Sequence, residues 1–176
     1  MLDRRRVLAA GLGFAAPVIG ASAASASAAL PRSLSVLNLH TGERLAATYF
    51  EAGRYLPDAL AALDRVLRDH RTGEVHPISP ALIDVVAGLA GQFGRPDAVQ
   101  VISGYRSPAS NAALHARSGG VATRSLHMQG MAMDIRISGV PLARLRDAAL
   151  ALGRGGVGYY PDSDFVHVDV GPVRRW

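Results

Sequence analysis

The chain has 176 residues, of which 49% are hydrophobic, and its formal net charge is +5. This length and composition predict a single domain with a real hydrophobic core. The sequence contains no cysteine, which excludes disulfides, thiolate metal sites, cysteine nucleophiles and a lipid anchor on cysteine. Any metal must therefore be held by histidines and carboxylates. All 19 basic residues are arginine, so lysine is excluded as a catalytic base.

The first 28 residues have the pattern of an export signal. Arg4, Arg5 and Arg6 precede an apolar stretch from Val7 to about Gly20, and a run of small residues follows. The apolar stretch is too short for a comfortable membrane span. The adjacent arginines fit a twin-arginine signal and also a Sec signal, so both routes stay open. We expect a periplasmic protein whose mature domain covers residues 29–176.

The charge of the mature chain argues against nucleic acid as a partner. Removing Asp3 and the three leading arginines would lower the formal charge to +3. This balance is too mild to predict binding to a polyanion, although an anionic cell wall would not repel such a surface.

The first half of the mature chain predicts two strands and two helices. Alternating apolar residues over 34–39 and 45–50 predict strands joined by a hairpin turn at Thr41–Glu43. Pro57 opens an amphipathic helix, with Asp69 assigned to its polar side, and Ser79-Pro80 begins a second helix that ends near Gly94. The histidines of this half are assigned to the surface or to loops; they are His40, His70 and His76.

The second half predicts a strand, a helix, a strand, a helix and then two strands, in that order. Strands are expected over 98–103, 131–137 and 165–170, and helices over 108–117 and 141–152. The first of these strands delivers Arg106 into a turn, and a glycine-containing loop follows the first helix. Helices and mainly antiparallel strands in this order predict a compact, single-domain α+β fold with the helices packed on the sheet.

Three side chains in this half are candidate metal ligands: His127, Asp134 and His167. Two imidazoles and a carboxylate suit a catalytic zinc, which keeps its fourth tetrahedral position open. Gly130 lies between His127 and Asp134, so a turn could bring both side chains to one ion. Asp134 is flanked by apolar residues, where a carboxylate is costly unless it is paired or metal-bound. The alternative is that Asp134 caps a turn or meets Arg136 and that both histidines are core residues.

The pattern Ser-x-His-x-x-Gly-x-Ala-x-Asp over residues 125–134 resembles the signature of the M15 zinc peptidases. This family includes D-Ala-D-Ala carboxypeptidases, D,D-dipeptidases and peptidoglycan endopeptidases. The stretches 103–108, 155–161 and 165–169 are similar, more narrowly, to the branch once called domain of unknown function 882, which contains murein endopeptidases. The resemblance extends from about Ser33 to Trp176.

The resemblance implies a fold of the hedgehog and D-Ala-D-Ala-peptidase type, and zinc as the cofactor of the three ligands. It also implies that Arg106 holds the substrate and its developing negative charge, with Tyr105 beside it as a substrate-binding residue. Ser125 either donates to a substrate carboxylate or caps its own loop. The base of the family precedes the last ligand by three residues, where this chain has Asp164; Asp169 is the rival, favoured as a supporting acid.

The expected function is therefore hydrolysis of peptide cross-links in peptidoglycan, with the peptide stems as partner and the protein a monomer. The resemblance favours an endopeptidase over a D-Ala-D-Ala carboxypeptidase. A non-catalytic module that binds wall peptides stays open, because the base is shortened from Glu to Asp. The sequence does not distinguish 4-3 from 3-3 cross-links.

Overall fold

The computed structural model describes residues 30–94, 98–118 and 122–176. The predicted export signal, residues 1–28, lies outside these described residues. Within them, no helix combines the length and the apolar character needed to cross a bilayer.

One sheet of eight strands organises the described domain. In chain order the strands are β1 (Arg32–Asn38), β2 (Arg44–Glu51), β3 (Arg54–Tyr55), β4 (Val99–Ser103), β5 (Ala132–Ile137), β6 (Gly156–Tyr160), β7 (Phe165–Asp169) and β8 (Arg174–Arg175). Their order across the sheet is β3-β2-β1-β4-β5-β7-β6-β8. The pairs β1·β4 and β6·β8 are parallel and the other neighbours are antiparallel.

The described residues also form four α-helices: α1 (Pro57–Val66), α2 (Pro80–Gln92), α3 (Pro108–Arg117) and α4 (Leu142–Leu152). Helices α1, α2 and α4 contact the strands of the sheet. The predicted α+β fold is confirmed, as are the first hairpin and all four helices. Strands β3 and β8 were not predicted, because a segment of two residues is too short to show a period.

Side-chain alternation in β5 and β7 separates the core from the site. Met133 and Ile135 of β5, and Val166 and Val168 of β7, are almost fully buried in the hydrophobic core. Since successive side chains of a strand point to opposite faces, Asp134 and His167 lie on the other face of the sheet. One face of these two strands therefore packs in the core, and the other face presents the candidate ligands Asp134 and His167.

Asp69 corrects the predicted polar face of the first helix. Its side chain is fully buried just after α1, where its carboxylate accepts hydrogen bonds from the backbone N–H groups of Arg71 at 2.9 Å and Ser107 at 2.8 Å. Burial alone would raise the pKa of this carboxyl, but hydrogen bonds from Ser110 and Ser107 outweigh it and hold the pKa well below its usual range. Asp69 thus fastens the end of α1 to the segment that contains Arg106.

Candidate metal centre

His127 is positioned by a short 3-10 helix, Leu126–Gln129. Ser125 begins this helix, and its hydroxyl accepts the N–H of His127 at 3.4 Å. Gly130 ends it with a φ of +64°, and a Cβ at this glycine would lie only 2.1 Å from the carbonyl oxygen of Pro77. Only glycine fits this close approach in a left-handed conformation.

The ring of His127 is held in one tautomer. Its Nδ1 lies 2.7 Å from the carbonyl oxygen of Gly104, an acceptor only, so Nδ1 carries the proton and donates. The other ring nitrogen, Nε2, then faces Asp134 and His167 and is the one available to a metal ion. This is the arrangement that a metal-binding histidine needs.

Asp134 and His167 are directly paired across β5 and β7. On the side of β5 away from β7, the partner of Asp134 is Ser103 of β4, at a bulge in the ladder. His167 in turn faces Gly158 of β6. Two candidate ligands therefore come from the middle of the sheet, and the third comes from the turn before β5.

The three candidate ligand atoms form a small triangle. His127 Nε2 lies 3.3 Å from Asp134 Oδ1 and 3.3 Å from His167 Nδ1, and the latter two atoms are 2.8 Å apart. Tetrahedral ligands at zinc distances of 2.0–2.1 Å lie about 3.3 Å from one another. Two edges of the triangle match the face of a zinc coordination tetrahedron and the edge between Asp134 and His167 is shorter. The donors, two imidazoles and a carboxylate, fit that ion.

Asp169 supports the outer nitrogen of His167. The Nε2 of His167 lies 3.2 Å from Asp169 Oδ2, and Arg174 donates to both oxygens of this carboxylate, at 3.1 Å and 2.7 Å. The backbone N–H groups of Gly156 and Gly171 also donate to it, each at 2.9 Å. A carboxylate in this position fixes the orientation of the ring whose other nitrogen binds a metal.

The neighbouring side chains shift the pKa values of His167 and Asp134 in opposite directions. Burial lowers the pKa of His167, but hydrogen bonds to Asp134 and Asp169 outweigh it and raise this pKa above its usual value. Burial would raise the pKa of Asp134, yet the two neighbouring histidines hold it well below its usual range. Asp134 is therefore ionised at neutral pH, as a metal ligand must be.

Arg106 approaches the centre from β4 with few good partners. Its guanidinium lies 3.4 Å from Asn111 Oδ1, 3.4 Å from Ser103 Oγ and 3.6 Å from Asp134 Oδ2. Its buried Nε has no hydrogen-bond partner among the described residues. A guanidinium has five N–H donors, so several of them are available to an oxygen of a bound molecule.

An open cavity of about 490 Å³ lies over the three candidate ligands. Arg106 and Ser125, two of the residues expected to bind substrate, line this cavity. Several other residues that line the cavity were not predicted from the sequence: Arg124, Tyr160, Phe165, Arg174 and Trp176. No motif marks these side chains, because strand pairing of distant segments brings them to the cavity. The one local signal is the alternation of β7, which assigns Phe165 to the face of His167.

Tyr105 and Asp164 do not reach this cavity. Tyr105 is buried, its hydroxyl donates to Glu74 at 2.8 Å, and its ring stacks on His76. Its side chain therefore packs with Glu74 and His76, whereas that of Arg106 lines the cavity. Asp164 is exposed in a left-handed turn and forms an ion pair with Arg136. It is absent from the lining of the cavity, although both of its neighbours, Ser163 and Phe165, belong to that lining.

Comparison with known proteins gives the family of the chain. The model of the family described as peptidoglycan L,D-endopeptidase MepK, of the M15 peptidases, matches residues 26–176. The peptidoglycan L,D-endopeptidase MepK of Escherichia coli K12 is 45% identical over 99% of this chain and 97% of its own length. The probable peptidoglycan L,D-endopeptidase MepK of Haemophilus influenzae is 45% identical over 83% of this chain and 79% of its own length. The chain belongs to the MepK family of M15 peptidases.

Proposed function

We propose that this protein is a zinc-dependent endopeptidase that hydrolyses peptide cross-links in peptidoglycan. The observation that carries the proposal is the triangle of His127 Nε2, Asp134 Oδ1 and His167 Nδ1 beneath an open cavity. Membership of the MepK family supplies the substrate class.

His127, Asp134 and His167 would hold the zinc. When bound, such an ion supplies Lewis acidity, which polarises a scissile carbonyl and acidifies a water molecule. The residues of the chain supply the rest. Asp169 keeps the ring of His167 in a fixed orientation, and the carbonyl of Gly104 does the same for His127.

Arg106 is proposed to bind the oxygen on which negative charge develops. The contacts of its terminal nitrogens with Asn111 and Ser103 are long and therefore weak, so these N–H groups can turn to an incoming group. A charge-assisted, two-pronged hydrogen bond to an oxyanion or a carboxylate is the interaction that a guanidinium makes best. Ser125 lines the same cavity, and because its oxygen only accepts the N–H of His127, its own O–H can still donate to a bound molecule.

Asp164 is proposed as the general base, in preference to Asp169. Asp169 is fully buried, and its oxygens already accept from two backbone N–H groups, Arg174 and His167. Asp164 is exposed and is held by the partly exposed Arg136, from which it can detach at small cost. Catalytic hydrogen bonds are often completed only when substrate binds.

We infer that the bond cleaved joins an L-configured acyl residue to a D-configured amine. This follows the L,D designation of the E. coli and H. influenzae relatives, and it favours 3-3 over 4-3 cross-links. A D-Ala-D-Ala carboxypeptidase is the alternative within the M15 family. A wall-binding module without catalysis is the alternative outside it.

Export to the periplasm belongs to the same proposal, since the substrate lies outside the cytoplasm. Residues 1–28 are proposed as the signal, by the twin-arginine route. Replacing Arg4, Arg5 and Arg6 with Lys should trap the precursor in the cytoplasm, because that pathway reads the arginines while Sec accepts either cation. Normal export of the triple-Lys variant would assign the protein to Sec.

The test of activity uses purified mature protein with two substrates. Zinc-loaded protein is incubated with 3-3 and 4-3 cross-linked muropeptide dimers, and products are separated by chromatography and weighed by mass spectrometry. We expect monomers from the 3-3 dimer, none after chelation, and recovery when zinc is restored. Release of a terminal D-Ala alone would favour the carboxypeptidase. Binding of both dimers without any product would favour the binding module.

A further inference from the structure

One side of the cavity is an aromatic wall formed by Tyr160, Phe165 and Trp176. The rings of Tyr160 and Phe165 stack with centroids 4.6 Å apart, and the Trp176 indole donates to the Tyr160 hydroxyl at 2.7 Å. The ring of Trp176 lies 5.3 Å from that of His167. The wall therefore begins at the candidate metal ligand itself.

Trp176 is fixed by its backbone and by a glycine. Its N–H donates to the carbonyl of Val157, and its carbonyl accepts the N–H of Tyr159. Its ring covers Gly158, the cross-strand partner of His167, where an added Cβ would lie 2.8 Å from the indole. A side chain at position 158 would thus displace the ring from its place beside His167.

The cavity has two chemically different ends. Arg106 follows β4, on one side of Asp134 and His167, whereas Trp176 pairs with β6, on the other side. The arginine end offers N–H donors to an anionic oxygen. At the other end Trp176 is 50% exposed, its indole N–H is already bonded to Tyr160, and Arg174 lies over its ring at 4.9 Å. What Trp176 still offers to a ligand is apolar ring surface.

We propose that Trp176 forms an apolar subsite for an aliphatic segment of the cross-linked peptide, on the side of the scissile bond away from Arg106. The inference rests on the proposed function and names the part of the substrate that the second end of the cavity binds. Alanine methyl groups and the methylene chain of a cross-linking side chain have the required chemistry, because they gain from leaving water and carry no charge to desolvate.

Trp176 is the only tryptophan of the chain, so its fluorescence reports on this subsite without labelling. The metal-depleted protein is titrated with an intact 3-3 cross-linked muropeptide dimer, and binding is measured in parallel by calorimetry. We expect a saturable blue shift whose midpoint equals the calorimetric Kd. Calorimetric binding with unchanged tryptophan emission would overturn the proposal.

Variants separate a subsite from a structural role. Trp176→Ala should weaken dimer binding by about tenfold, as expected for loss of an aromatic contact, while Trp176→Phe keeps most of the affinity. Val173→Ala is the matched control, since Val173 is exposed in the same segment but faces a different cavity. Gly158→Ala tests the same subsite by displacing the indole, and it too should weaken binding.

Zinc affinity is measured for each variant by competition with a chromogenic chelator. If Trp176→Ala binds dimer normally, or weakens dimer and zinc binding equally, the subsite is refuted. A tryptophan shift on dimer binding, with no hydrolysis by the zinc-loaded protein, would support the subsite and reject the peptidase function. Hydrolysis of the dimer by the zinc-loaded protein, with no change in tryptophan emission on dimer binding, would support the peptidase function and reject the subsite.

Discussion

Arg174 donates hydrogen bonds to both carboxylate oxygens of Asp169, and Asp169 in turn contacts Nε2 of His167. This chain of contacts runs from an exposed arginine on β8 to a candidate metal ligand on β7. It gives β8, only two residues long, a direct influence on the centre.

Breaking the contacts between Arg174, Asp169 and His167 is expected to lower zinc affinity. Arg174→Gln or Asp169→Asn should raise the Kd for zinc by about 10–100-fold, because a supporting partner that orients a ligand typically contributes that much. Competition with a chromogenic chelator measures it. Arg175→Gln, on the next and equally exposed residue, is the control and should bind zinc as the wild type does. Unchanged affinity in both Arg174→Gln and Asp169→Asn would show that His167 is held without them.

Removing a candidate ligand is expected to remove metal and activity together. His127→Ala and His167→Ala should each retain far less than one zinc per chain after dialysis, because each variant leaves only two of the three candidate ligands. Elemental analysis of the purified proteins gives the stoichiometry, with exposed His40→Ala as the control. Full zinc content in both ligand variants would contradict the proposed centre.

Asp164 is expected to affect turnover but not zinc content. A general base contributes roughly 10²–10⁴-fold, so Asp164→Asn should reduce the rate by that order while the ion stays bound. Asp164→Glu should be tolerated or faster, because its carboxylate reaches one methylene further. Arg136→Gln frees Asp164 from its ion pair and should not slow the reaction.

The opposite result would reassign the base. If Asp164→Asn cleaves muropeptide dimers at the wild-type rate and Asp169→Asn is inactive with zinc in place, Asp169 is the base. Rates are to be expressed per zinc-loaded molecule, so that loss of metal is not counted as loss of chemistry.

Asp69 is expected to make the folded state acid-sensitive. Its pKa is depressed in the folded protein by hydrogen bonds that outweigh burial, so its stabilisation is complete above the unfolded pKa of about 3.9 and is lost as pH falls further toward the folded pKa. Asp69→Asn should lower the free energy of unfolding by about 2–4 kcal/mol at pH 7. Urea unfolding measures this, with the exposed Asp147→Asn as control. The gap between wild type and Asp69→Asn should shrink below about pH 4; a constant gap would contradict the ionic role.

The sequence predicted the helices and strands well where a hydrophobic periodicity marked them or a proline or glycine marked their ends. Alternation predicted β5 and β7, and the assignment of His167 and Asp169 to one face followed from it directly. Gly130 predicted the turn that brings His127 back to the sheet. The three candidate ligands could be proposed because the motif spacing reports a local turn and two strands that must pair.

Other parts of the site depend on contacts that no local pattern records. Asp69 looked like a residue of a polar helix face, yet it is buried because the helix ends before it and the chain turns inward. Trp176 reaches the cavity because its backbone pairs with β6. Arg174 reaches it because β8, the strand of two residues that contains it, also pairs with β6. Tyr105 was expected beside Arg106 from the family resemblance, but its side chain is buried against Glu74 and His76.

The cross-strand pairing of Asp134 with His167 also bears on where the protein acquires its ion. These two groups are 33 residues apart in the chain, so an unfolded chain offers no preformed site, and metal uptake is coupled to folding. The compartment in which the chain folds is then the compartment that supplies the metal. A precursor exported in the folded state would carry an ion selected from the cytoplasmic pool, whereas one threaded across unfolded would take whatever the periplasm provides.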